Sequence, residues 1–233
     1  MSLPKKMVFA EAGALVTALA DAVRAEAGRA IEARGMFHLV LAGGSTPIAL
    51  YRELAAGHAG DSRWHIWYGD ERCLPPDHPQ RNSVMAEAAW LSGAAIPPGN
   101  RLPIPAERGA EAAAADYAAM LATVPSFDLV LLGMGEDGHT ASLFPGHDWG
   151  TAPSSPAVLA VHDAPKPPPD RVSLSAVRLC GSRSVWFIVS GEGKSDAVKR
   201  WRNGEALPVT AIHGRNETLA WLDQSAWGMS FSG

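Results

Sequence analysis

His139 is the residue of this sequence best placed to do chemistry. It lies in Gly133-Met134-Gly135-Glu136-Asp137-Gly138-His139-Thr140-Ala141-Ser142-Leu143-Phe144-Pro145, where three glycines and two acids surround one histidine directly behind an apolar run. Imidazole is the side chain whose ordinary pKa lies nearest neutrality, so it can take a proton as a general base. Asp137, two residues upstream, can orient the ring and stabilise its charged form, and Gly138 belongs to the same glycine-rich loop. The other seven histidines sit in no such setting and read as packing or surface residues.

Three more loops carry polar groups behind apolar runs. Gly43-Gly44-Ser45-Thr46-Pro47 combines glycines, which let the backbone approach an anion, with two hydroxyls at a helix start. It lacks the Gly-Lys-Ser/Thr of a Walker A loop and the Gly-x-Gly-x-x-Gly of dinucleotide folds, so it suits a phosphate on a small molecule. Gly69-Asp70-Glu71-Arg72-Cys73 puts three charges in a row after an apolar strand. Asp70 and Glu71 beside the fixed donor fork of Arg72 suit recognition of a polar substrate. Ser190-Gly191-Glu192-Gly193-Lys194 ends in a lysine able to give a phosphate a point charge, and Arg171 offers a second cation.

The elements that must position these loops alternate. Helical patterns cover residues 9–34, 47–54, 82–91, 107–122 and 195–201, with Pro47 expected at the first helical position. Apolar strand-like runs cover 37–42, 64–68, 127–132, 157–162, 172–174, 185–189, 209–213 and 218–222. Residues 164–170, with four prolines, read as a loop rather than a domain linker. Alternation of this kind implies an α/β fold with a mostly parallel, Rossmann-like sheet and helices on both faces. Ligands of such sheets sit outside the carboxyl ends of the strands, where all four loops should meet.

Composition narrows the function. The chain has 233 residues, 47% of them hydrophobic, enough for a single α/β domain over 1–233 with a large core. A formal net charge of −4 and no basic stripe argue against nucleic acid as a partner. No apolar run is long enough to span a membrane, and Met1–Met7 lacks the apolar region of a secretory leader. Cys73 and Cys180 cannot form a disulfide framework and fit a reducing, cytoplasmic setting. No metal-ligand spacing and no Gly-x-Ser-x-Gly elbow occur.

Taken in order, Leu41-Ala42-Gly43-Gly44-Ser45-Thr46-Pro47, then Asp70-Glu71-Arg72-Cys73 with Asn82-Ser83, then Gly133 to Pro145, resemble the glucosamine-6-phosphate isomerase/6-phosphogluconolactonase family from about Phe9 to Trp227. The resemblance implies the α/β fold shared by glucosamine-6-phosphate deaminase and related to ribose-5-phosphate isomerase. It implies hydrolysis of 6-phospho-D-glucono-1,5-lactone to 6-phospho-D-gluconate without a cofactor, with the sugar-phosphate lactone as partner; separately from the resemblance, a monomer is expected. Arg72, where deaminases usually carry tyrosine, and Leu143-Phe144-Pro145, without the deaminases' Asn-Glu-Pro, favour the lactonase side. The expected roles are phosphate binding by Gly43, Gly44, Ser45 and Thr46 with Lys194 and Arg171, proton removal from water by His139 held by Asp137, and carbonyl polarisation by Arg72. Asp70, Glu71 and Gly138 complete the expected substrate wall. A deaminase-type enzyme and a non-catalytic sugar-phosphate-binding protein are the alternatives.

Overall fold

Short apolar runs make the strands and Ala-rich runs the helices. The computed structural model describes residues 4–228; Met1–Leu3, part of the stretch read above for a leader, lie outside them. In chain order the first elements are β1 (Lys5–Phe9), α1 (Ala12–Arg34), β2 (Phe37–Leu41), α2 (Ser45–Ala56), β3 (Trp64–Tyr68), β4 (Asp70–Arg72), α3 (Asn82–Ala89) and α4 (Ala110–Leu121). There follow β5 (Leu129–Gly133), β6 (Val158–Val161), β7 (Arg171–Leu174), α5 (Ala176–Cys180), β8 (Ser184–Val189), α6 (Ser195–Arg202), β9 (Glu217–Asp223) and α7 (Gln224–Trp227). No helix among the described residues is long and apolar enough to cross a membrane.

Six strands form a parallel sheet in the order β1-β9-β8-β5-β2-β3. Every residue of β8 is buried, and so is every residue of β5 except half-exposed Gly133. A strand covered on both faces needs an unbroken apolar run, which these sequences supply. The chain steps outward from β2 to β3 and later sets β5 on the other side of β2. The crevice between the carboxyl ends of β2 and β5 is therefore the switch point at which such sheets take ligands.

The structure corrects the sequence reading in five places. Residues 70–72, read as a loop, form β4, which joins β7 and β6 in a separate antiparallel sheet. Residues 5–9 form edge strand β1 on β9, hidden in the sequence by Lys5 and Lys6, since edge strands tolerate charge; α1 then starts at Ala12, not Phe9. Residues 208–211 form a 3-10 turn rather than a strand. Pro208 cannot donate to a ladder, and Thr210 Oγ1 donates to the Leu207 carbonyl (2.7 Å) and accepts from its N–H (3.2 Å). The helix expected from 107 is broken by Gly109 at φ +85° and starts at Ala110. Pro47 is the third residue of α2, which opens at Ser45 behind Gly44.

Two buried tyrosines fasten the strand ends from which the first two loops depart. Tyr51 Oη accepts from Ala42 N–H (3.0 Å) and donates to Ala42 C=O (2.6 Å) just past β2. Tyr117 Oη does the same at the end of β3, accepting from Tyr68 N–H (2.9 Å) and donating to Tyr68 C=O (3.1 Å). Each hydroxyl satisfies a buried amide and carbonyl that no neighbouring strand reaches. Tyr117→Phe removes both partners at once. It should cost about 1–3 kcal/mol, read as a lowered urea midpoint at unchanged m-value.

Candidate active site

The switch-point crevice opens into a cleft of about 200 Å³ lined from all four loops. In the first loop, Gly43, Gly44, Ser45 and Thr46 line it. The N–H groups of Ser45 and Thr46 belong to the opening turn of α2, where a helix leaves its donors unpaired. A Cβ on Gly43 would lie 2.0 Å from Asn82 Oδ1, so only glycine lets the loop lie this close to α3.

β4 explains the second loop. Successive side chains of a strand point to opposite faces. Asp70 and Arg72 accordingly line the cleft, while Glu71 turns away and is fully buried. This corrects the placement of Glu71 on the substrate wall. Its Oε1 accepts from the N–H groups of Arg72 (2.9 Å) and Asn82 (2.7 Å), and its Oε2 from Ser83 N–H (2.9 Å) and Oγ (2.8 Å). Arg81 Nε adds a charge 3.6 Å away. The carboxylate thus sits on the N-terminus of α3, where the helix dipole favours an anion. Asp70 is buried too: Oδ2 accepts from Ser142 Oγ (2.6 Å) and Oδ1 from Asn82 Nδ2 (3.1 Å). Arg72 reaches the cleft with one nitrogen tied to the Gln80 carbonyl.

The third loop folds back on itself. Gly135 N–H donates to His139 C=O (2.8 Å) and Gly138 N–H to Gly135 C=O (3.0 Å). The turn sets His139 Nδ1 2.5 Å from Asp137 Oδ1, with the imidazole facing the cleft and lying 4.8 Å from the Phe144 ring. Burial lowers the His139 pKa below its ordinary value. Asp137 and, more weakly, Asp70 pull it up, and the charge of Lys166 pushes it down. For Asp137 burial pulls upward, yet the charge and hydrogen bond of His139 hold the carboxyl low. At neutral pH this favours an ionised Asp137 accepting from a neutral imidazole, whose Nε2 lone pair is left free. Gly138 does not line the cleft. It has φ +86° in the turn, and a Cβ there would lie 2.9 Å from Leu207, which corrects its expected substrate contact.

The fourth loop is pinned by Asp223, at the end of β9. Its carboxylate accepts from Ser190 Oγ (2.5 Å), Gly191 N–H (3.0 Å) and Ala226 N–H (2.7 Å). Lys194 follows and lines the cleft. Arg171 also lines it, but its Nε and Nη2 donate to the carbonyls of Pro168 (3.1 Å) and Lys166 (2.8 Å). Its charge therefore braces the proline-rich segment 163–170 as much as it faces a ligand. That segment brings Lys166 into the cleft, a residue the sequence reading passed over. Its one signal was a lysine enclosed by prolines. Gly135 and Asp223 were missed as well, because their roles rest on contacts distant or invisible in the sequence. Among the described residues no group of three or more His, Cys, Asp or Glu is arranged to hold a metal ion.

Residues 10–221 match the family model described as glucosamine-6-phosphate isomerases/6-phosphogluconolactonase. The chain belongs to this family. It is 39% identical to the 6-phosphogluconolactonase of Mycobacterium tuberculosis, over 94% of this chain and 95% of that one. It is 37% identical to the Homo sapiens protein of the same name, over 94% and 91%. Among solved structures it superposes on the Thermotoga maritima 6-phosphogluconolactonase with a TM-score of 0.86 at 28% identity, covering 94% of this chain and 99% of that one. A monomeric glucosamine-6-phosphate deaminase superposes with a TM-score of 0.83 at 20% identity, over 97% and 100%, and shares the fold. Both kinds of family member thus share this architecture, and the side chains of the cleft must distinguish them.

Gly135 gives the geometry a direct test. A Cβ there would lie 2.0 Å from His139 Nδ1 and 2.5 Å from Asp137 Oδ1. Gly135→Ala should force the two side chains apart and lower kcat by about 10²-fold, as a misplacement of roughly 1 Å can. Steady-state kinetics with an NMR spectrum of the His139 ring would show both effects.

Proposed function

We propose that the chain hydrolyses 6-phospho-D-glucono-1,5-lactone to 6-phospho-D-gluconate, with His139 as general base. The observation that carries the mechanism is the 2.5 Å contact between His139 Nδ1 and Asp137 Oδ1 beside an anion-receptive loop. The names of the relatives support the substrate. The 6-phosphate lies on the N–H groups and hydroxyls at the start of α2, and Lys194 neutralises it. Asp137 holds the Nδ1–H, so Nε2 faces the water that attacks the lactone carbonyl. Arg72 polarises that carbonyl. The C–O bond to water forms as His139 takes the proton. The tetrahedral adduct then expels the ring oxygen, which takes the proton back. Cys73 and Cys180 are free and half-buried, which fits the reducing, cytosolic setting expected of them.

The test is hydrolysis of freshly generated phosphorylated lactone against its spontaneous background, with unphosphorylated gluconolactone alongside. Acceleration confined to the phosphorylated lactone is expected. Ammonia release from glucosamine 6-phosphate without lactone hydrolysis would replace this reading with the deaminase one. His139→Ala should lower kcat by about 10²–10⁴-fold. A base works only when neutral, so activity is present above the His139 pKa and lost as pH falls through it. Because that pKa is lowered, the acid limb of kcat/KM should lie below the ordinary histidine value of ~6.5. A limb at or above that value would contradict the burial argument.

A further inference from the structure

The roles above leave Lys166 without a function, though it lines the cleft at the His139 end. A continuous stack sets its position. The His139 ring lies 4.8 Å from the Phe144 ring, and the guanidinium of Arg171 lies over the same ring at 5.4 Å. Arg171 is itself buried and donates to the Lys166 carbonyl at 2.8 Å. The backbone of Lys166 is thus fixed one layer beyond His139, while its exposed side chain is free to extend into the cleft. The base of the segment is tied down independently. His162 Nδ1 lies 2.7 Å from Asp170 Oδ1, Ala164 N–H donates to Pro169 C=O (3.0 Å), and Cys73 N–H donates to Asp170 C=O (3.0 Å). Segment 163–170 is therefore a braced strap that presents one cation. Arg72, which also faces the carbonyl, has one nitrogen committed to Gln80 and so leaves place for a second cation there.

We propose that Lys166 is a catalytic residue of the hydrolysis proposed above, its ammonium meeting the carbonyl oxygen of the lactone as that oxygen becomes an anion. When water adds, the C–O bond forms, the carbonyl π electrons move onto oxygen, and the proton goes to His139. The anion then lies against Lys166. Collapse restores the carbonyl, breaks the bond to the ring oxygen and returns the proton to it. A cation brought to that oxygen by a backbone-braced strap acts where charge develops, which is the condition for lowering the barrier rather than tightening ground-state binding. The groups facing His139 are Asp137 on its own loop, Asp70 on β4 and Lys166 on the strap, with Arg200 of α6 donating to the Asp137 carbonyl at 3.3 Å. Lys166 is the cation among them whose charge opposes protonation of the base, so one side chain serves two ends.

The experiment compares wild type, Lys166→Met, Lys166→Arg and Lys194→Met on the phosphorylated lactone. The strap is held through backbone carbonyls, so the Lys166 side chain can be exchanged without loosening it. Lys166→Met should lower kcat by about 10²-fold with KM nearly unchanged, the size expected for one lost oxyanion donor. Its acid limb should move to higher pH, and Lys166→Arg should recover much of the rate. Lys194→Met should instead raise KM. An active wild type with a Lys166→Met variant of unchanged kcat, or one changed in KM alone, would overturn the assignment while leaving the lactonase reading intact. A wild type that does not accelerate the lactone overturns both. An NMR titration of His139 gives a readout independent of turnover: its pKa should rise in Lys166→Met, and an unmoved titration counts against the placement of the ammonium.

Discussion

The buried carboxylate of Glu71 is the constraint on which the cleft depends. A charge with no exposure costs several kcal/mol unless hydrogen bonds replace its water. Here the three N–H groups of Arg72, Asn82 and Ser83, one hydroxyl and the neighbouring Arg81 do so. The demand is reciprocal, because α3 opens without a capping side chain of its own. Satisfying Glu71 fixes where α3 begins relative to β4. That in turn fixes Asn82 against Gly43 and Asp70, and thus the spacing between the loop at α2 and the wall that carries Arg72.

A second tension sits at His139. In the proposed base role His139 must be neutral to accept a proton, and the imidazolium it would then become must also be tolerated. Burial and the nearby lysine answer the first need, and Asp137 with Asp70 answers the second. The back-folded turn from Gly135 to His139 lets so short a segment supply both ring and partner, since only a residue without Cβ fits beneath them.

Much of this was legible in the sequence where local pattern and tertiary role coincide. The apolar runs at 37–41, 64–68, 129–132 and 185–189 are strands because the sheet buries them on both faces, and the loops behind them meet at the cleft. What escaped was set by partners distant in the chain. Asp70-Glu71-Arg72 looks like a charged turn until β7 pairs with it, and only the pairing decides that Glu71 faces inward. Residues 5–9 look like a basic tail until β9 accepts them. Lys166 looks like a lysine in a solvated loop until Arg171 draws the strap over the crevice. Residues 209–213 erred the other way: a β-like run lost to Pro208 and to the Thr210 hydroxyl.

Four cationic side chains, Arg72, Lys166, Arg171 and Lys194, line a cleft in a protein whose net charge is −4. The attraction for an anion is therefore short-ranged and opposed at a distance by the protein as a whole. In the proposed reaction, opening a phosphorylated lactone creates a carboxylate, so the product carries one more negative charge than the substrate. The cleft that suits the incoming molecule suits the outgoing one better, and turnover is pressed toward self-inhibition. The excess of acid over base in the chain as a whole acts against that retention.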